Sequence, residues 1–248
     1  MRRGRPFDEL GQHIRCCQVE PLAGRLDPRS SRRAVSCLAV ASILVAASVV
    51  PLGCGDNPTA PTSSTAPQQS IRDQCLTRAV FGDPATSAYV LPFPVGASYS
   101  LLQTYCGPQN HGRDNQLAYD FTIPFGDPVV ASRSGTVRRV VDTYADDDRV
   151  GSHNNHMFIQ HEDGTTAMYA HLVQHSVVVQ EGERVEQSQL IALSGTSGGT
   201  VAVLHFGVYR SWPNQGGDDV AINFRNAEGP LDERSGLVQG AVYTALPY

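Results

Sequence analysis

From about residue 118 onward the chain keeps returning to short runs of β-branched and aromatic residues separated by turn signals, and this pattern limits the fold more than any other feature. The segment VVASRSGTVRRVVDTY (129–144) holds two such runs broken at Ser134-Gly135. HMFIQHEDGTTAMYAHL (156–172) holds two more around Asp163-Gly164, a dipeptide favoured in hairpin turns because both residues tolerate positive φ. SVVVQEGERVEQSQLIALSG (176–195) and VLHFGVYR (203–210) continue the series. None of these stretches has the three-to-four spacing of an amphipathic helix. Short strands at this spacing predict a mainly β domain built on an antiparallel sheet. Residues 71–106, with Pro92, Pro94 and Gly96, read as an irregular lead-in to it.

The N-terminal part has a different character. Residues 1–33 are arginine-rich, residues 34–52 (AVSCLAVASILVAASVVPL) form an apolar run, and Gly53-Cys54 ends it. A basic segment, an apolar segment and a small residue before a boundary are the parts of an export signal. Leu52-Gly53-Cys54 resembles the lipobox of bacterial lipoproteins, in which cleavage precedes the cysteine and the cysteine carries the lipid. Pro51 departs from that pattern, and an apolar run of this length also suits an uncleaved membrane anchor. Both readings place the rest of the chain outside the cytoplasm, tethered to a membrane, through a lipid at Cys54 in the first of them. Residues 55–70 (GDNPTAPTSSTAPQQS) are too polar to pack and read as a flexible tether. The expected organisation is therefore 1–54 export signal with lipobox, 55–70 tether, and 71–248 a single domain with its core at about 90–212 and a C-terminal extension.

Composition removes several classes of function. All 19 basic residues are arginine, so a lysine Schiff base and a P-loop are both excluded. After Cys54 the chain has 11 arginines against 20 acidic residues, which argues against a nucleic-acid partner. Only Cys75 and Cys106 follow Cys54, and two thiols in an oxidising compartment suggest a disulfide. Trp212 is the only tryptophan, so there is no aromatic stripe to support a carbohydrate-binding module.

Several linked motifs in one order carry a resemblance. LAYDFTIPFGDPVVASRSGTVRRV (117–140) has an aspartate before a Gly-x-Pro-Val turn and then a Gly-x-Val strand. Residues 155–172 follow an Asn-x-Val-x-Ile-x-His-x-Asp-Gly hairpin ending in Tyr-x-His-Leu. GERVEQSQLIALSGTSG (182–198) and Leu204-His205-Phe206 complete the series. Over residues 90–248 the chain resembles the lysostaphin/LytM-type zinc metallopeptidases, peptidoglycan endopeptidases with a β fold of the duplicated hybrid type. The resemblance implies a Zn2+ ion held by His, Asp and His, with two further histidines in catalysis.

Carried over residue by residue, Asp120 matches the aspartate ligand, His205 the second histidine ligand, and His171 the first catalytic histidine. The commonest family spacing puts the first histidine ligand four residues before the aspartate, where this chain has Gln116, a poor zinc ligand. One branch of the family uses the position nine before, which here is His111, and His111 is the expected ligand. The motif His-Leu-His-Phe reads Val203-Leu204-His205-Phe206, so valine stands where the second catalytic histidine belongs. His153 and His156 are candidates to replace it; with His161 and His175 they otherwise read as residues without a metal role.

Two functions follow from the resemblance. One is a zinc metalloendopeptidase acting on peptide cross-links of peptidoglycan, impaired at Val203. The other is a degenerate, non-cleaving domain that binds cell-wall peptides or regulates a cell-wall hydrolase.

Overall fold

The computed structural model describes residues 70–107, 111, 115–213 and 218–248. These fall within one compact unit, Thr62–Tyr248. The apolar run 34–52, Cys54 and most of the 55–70 tether lie outside the described residues, and no helix among those described is long and apolar enough to cross a membrane.

The expected antiparallel β architecture is present. A nine-stranded sheet takes the order β10-β11-β1-β2-β9-β6-β5-β4-β7. Its strands are β1 (Ser98–Gln103), β2 (Tyr119–Thr122), β4 (Gly135–Val141), β5 (His156–Gln160), β6 (Thr166–Ala170), β7 (Arg184–Val185), β9 (Leu204–Tyr209), β10 (Ala227–Glu228) and β11 (Val242–Ala245). A second, two-stranded sheet pairs β3 (Pro128–Val130) with β8 (Leu190–Leu193). The β5–β6 hairpin turns at Asp163-Gly164 as the sequence predicts, with Gly164 at φ 86°, where a side chain would be strained. At Gly135, which opens β4, a Cβ would lie 2.4 Å from the Gln160 carbonyl oxygen, so only glycine lets β4 pair this closely with β5.

Alternation along β2 and β9 sets the two faces of the sheet. Tyr119 and Phe121 of β2, with Leu204 and Phe206 of β9, belong to the buried core, and Phe224 packs within 6.1 Å (ring centroids) of Tyr119, Phe121 and Phe206. Each such fully buried aromatic contributes about 2–3 kcal/mol through area removed from water. Asp120 and His205 are the residues between these anchors, so packing the core side presents them together on the opposite face.

The lead-in is more ordered than its sequence suggests. Ile71–Arg78 form helix α1. Ser70 caps it by accepting the Asp73 N–H on its side-chain oxygen (3.1 Å), and Asp73 and Arg78 sit at the ends that suit the helix dipole. Eight residues without a clear apolar stripe are too few to hold a helix alone in water. Tertiary anchors supply the difference: Cys75 is bonded to Cys106, and Arg78 pairs with Asp219. The C-terminal residues also join the sheet, with β11 pairing on β1 and β10 on β11.

Candidate metal centre

Asp120 on β2 lies directly opposite His205 on β9 in the sheet register, and directly opposed residues of an antiparallel pair share a face. His205 Nδ1 is 2.8 Å from Asp120 Oδ1. His111 comes from the segment between β1 and β2, and its Nε2 is 3.2 Å from Asp120 Oδ2. The two imidazoles meet edge to face with centroids 5.1 Å apart. One ligand atom from each of the three residues lies within 4.8 Å of the others, and among the described residues this is the one His/Cys/Asp/Glu cluster arranged to hold a metal ion.

The electrostatics of the cluster suit a cation. The side chains of His111 and His205 are only 6% and 8% exposed. Both ring nitrogens of His111 and Nε2 of His205 are buried without a hydrogen-bond partner; the His111–Asp120 approach lacks hydrogen-bond geometry. Leaving such groups unpaired costs about 1–3 kcal/mol each, so three in one place call for a partner. Burial alone would raise the Asp120 pKa, but the His111 and His205 nitrogens beside it outweigh burial and hold it well below the usual carboxylate range. A permanent carboxylate beside two imidazoles is a donor set for a divalent transition metal, and the residues present fit one.

Gln116, the residue at the commoner family spacing, is turned to another partner: its Oε1 accepts a hydrogen bond from Arg78 Nη2 at 2.7 Å. The geometry therefore brings His111, not Gln116, to Asp120.

His171 follows β6 directly, and its ring centroid is 6.2 Å from that of His205. Its backbone is left-handed (φ 66°), a conformation that costs about 1 kcal/mol or more for a residue other than glycine. Two contacts hold it there. The His171 N–H donates to Asn154 Oδ1 (2.9 Å), and ring Nδ1 lies 2.8 Å from the Ser197 carbonyl oxygen. A carbonyl only accepts, so Nδ1 carries the hydrogen and Nε2 keeps its lone pair. Burial pushes the His171 pKa below the ordinary imidazole value despite the opposing bond to Ser197. Asn154 and Ser197 are supporting residues that the sequence motifs did not single out. Asn154 lies inside the Asn-Asn-His start of the hairpin, and that placement was the available signal.

Val203 is 2% exposed and precedes β9, so strand alternation, which would put it on the His205 face, applies only from Leu204 onward. His156 lies in the same cross-strand row as the cluster: it pairs with Ala170, which pairs with His205. His153 is held differently. Its Nδ1 is 2.5 Å from Asp148 Oδ2, and its ring stacks on Tyr144 with centroids 4.6 Å apart. His161 is buried below the β5–β6 turn, with Nδ1 on the Ser134 carbonyl (3.0 Å).

Comparison with known proteins shows what this arrangement is similar to. Residues 114–221 match the model of peptidase family M23. Over these residues the chain is similar to the M23 peptidases. That stretch includes Asp120, His171 and His205, while His111 lies just before it. Three solved structures illustrate the likeness. A point mutant of the catalytic domain of the prophage-encoded M23 protein EnpA from Enterococcus faecalis is 25% identical, with 54% of this chain and 94% of that one covered and a TM-score of 0.42. The catalytic domain of the antimicrobial peptidase lysostaphin from Staphylococcus simulans is 25% identical over 49% of this chain and 86% of that one, with a TM-score of 0.38. A zinc-containing peptidase from Vibrio cholerae is also 25% identical, TM-score 0.38, over 49% of this chain. The match spans only 37% of the Vibrio cholerae protein's length. No curated protein matches the chain.

Proposed function

We propose that this domain is a zinc metalloendopeptidase that hydrolyses peptide cross-links of bacterial peptidoglycan, slowed by the valine at position 203. The observation that carries the reading is the cluster of His111, Asp120 and His205, with its buried unpaired nitrogens, inside a domain similar to the M23 peptidases. The three residues would hold zinc through two neutral imidazoles and one carboxylate, a catalytic donor set that leaves a position for water. When bound, zinc supplies Lewis-acid activation of water and of the scissile carbonyl.

The chain's own groups divide the remaining work. Asp120, kept ionised by its neighbours, contributes the negative charge of the site. His171 is the proton-handling residue: Nδ1–H is committed to the Ser197 carbonyl, so protons are taken up and released at Nε2. Its left-handed backbone and the Asn154 bond fix the ring before substrate arrives, which removes an ordering step from the reaction. In related sequences a second histidine shares this task; here Val203 can neither accept nor donate a proton. Losing one acid–base partner lowers a rate by about 10²–10⁴. The exported, lipid-anchored location at Cys54 belongs to the same proposal, because peptidoglycan lies outside the cytoplasm.

Val203 also supports a second reading, a non-cleaving domain that binds wall peptides or a cell-wall hydrolase. One experiment separates the two. Purified peptidoglycan is incubated with the wild type, His205→Ala and Val203→His, and new amino termini are counted. The endopeptidase predicts slow release by the wild type, none by His205→Ala, and a rise with Val203→His. No release by the wild type or by Val203→His, each folded and holding zinc, contradicts the peptidase and leaves the binding domain.

A further inference from the structure

The segment that delivers His111 starts and ends in one tightly bonded knot. Cys106 follows β1 on one side of His111, and Asn115–Leu117 precede β2 on the other. The Cys106 N–H donates to the Gln116 carbonyl (2.7 Å), which ties the two ends of the excursion together. Cys106 is bonded to Cys75 of α1. Three residues further along α1, the Arg78 guanidinium reaches Asp219 and Gln116: Nη1 lies 2.5 Å from Asp219 Oδ1, and Nη2 donates to Gln116 Oε1 at 2.7 Å. The second Asp219 oxygen accepts the Leu117 N–H (2.7 Å). The Asp219 side chain is 2% exposed, so these partners replace the water it has lost.

We propose that Arg78 is a positioning residue for the metal centre: by bridging Gln116 and Asp219 it fixes the return end of the segment that carries His111, and so presents the His111 imidazole to Asp120. The inference rests on the metal-binding reading above. Its physical basis is pre-organisation. A ligand on an untethered excursion must be ordered when the metal binds, and that ordering subtracts from affinity. Here the return end is held in advance, at Gln116 and Leu117, by a fork that a guanidinium can make and a lysine ammonium cannot. Gln116, one residue short of Leu117 and four before Asp120, thus serves the centre as the handle by which α1 holds it.

The test is a double-mutant cycle on zinc affinity. Purified full-length chain, with free thiols alkylated, is titrated with zinc against a competing chelator. The forms compared are wild type, Arg78→Ala, Gln116→Ala, His111→Ala and the pairwise combinations with His111→Ala. Loss of an orienting contact of this kind typically lowers metal affinity by about 10–100-fold. That loss is expected for Arg78→Ala and for Gln116→Ala, with less than about twofold further change once His111 is absent. Arg78→Lys should fall between wild type and Arg78→Ala. Gln116→Ala keeps Asp219 paired, so it carries the test if Arg78→Ala does not fold. An unchanged affinity in the folded variants, or an equal loss in both backgrounds, overturns the positioning role. A wild type without zinc overturns the metal-binding reading and this inference with it.

Discussion

At the scale of single residues, His161 shows how a histidine without a metal role still leaves a signature. It is 4% exposed, Nδ1–H donates to the Ser134 carbonyl, Nε2 is buried without a partner, and the ring meets Tyr89 edge to face at 5.5 Å. Burial holds its pKa at about 4 instead of 6.5. The neutral form is the folded form, so its stabilisation is full above about pH 6.5 and is lost as the pH falls toward 4. Linkage puts the loss at about 2 kcal/mol by pH 5. In chelator, urea midpoints at pH 7.5 and pH 5 should therefore fall more for the wild type than for His161→Gln, whose amide can still donate to Ser134. Equal shifts would contradict a buried neutral imidazole. Residue identity alone could name Asp120, His171 and His205, because each sits in a local motif. The spacing of one family branch pointed to His111 over Gln116, but the bond that turns Gln116 away comes from Arg78, 38 residues earlier in the chain, and no local pattern reports that contact.

At the scale of elements, strands were readable and the helix was not. Turn dipeptides and β-branched runs mark the β5–β6 hairpin directly. Helix α1 has a cap and suitable end charges but no clear apolar stripe, so its stability comes from partners distant in sequence, above all the Cys75–Cys106 bond. That bond spans 31 residues, for which the loop-entropy argument gives a stabilisation of about 3–4 kcal/mol. The double variant Cys75→Ser/Cys106→Ser should lose that much in denaturant unfolding, with the m-value raised because the unfolded chain is less constrained. An unchanged midpoint would mean that the lead-in contributes little to the stability of the domain. Strand β9 teaches the reverse lesson. All six of its residues are buried, so the alternation that sets His205 opposite the core shows only in which chains they touch, not in exposure.

For the molecule as a whole, the sheet order puts the candidate centre on β2 and β9, in the interior of nine strands, and lets additions at both ends of the domain reinforce it. The sequence predicted an antiparallel β domain and named His111, Asp120 and His205, the three residues that the fold brings together. It did not reveal that the C-terminal residues would extend the sheet beyond β1, or that Asp219 would meet Arg78 across 141 residues, because pairing between distant segments leaves no periodic trace. The central claim is that His111, Asp120 and His205 hold zinc. X-ray absorption at the zinc edge of the purified, zinc-loaded chain tests it most directly. The expected spectrum has only nitrogen and oxygen neighbours at about 2.0–2.2 Å, with the imidazole signature weakened in His205→Ala. A sulfur shell near 2.3 Å, or a spectrum unaltered by His205→Ala, would contradict it.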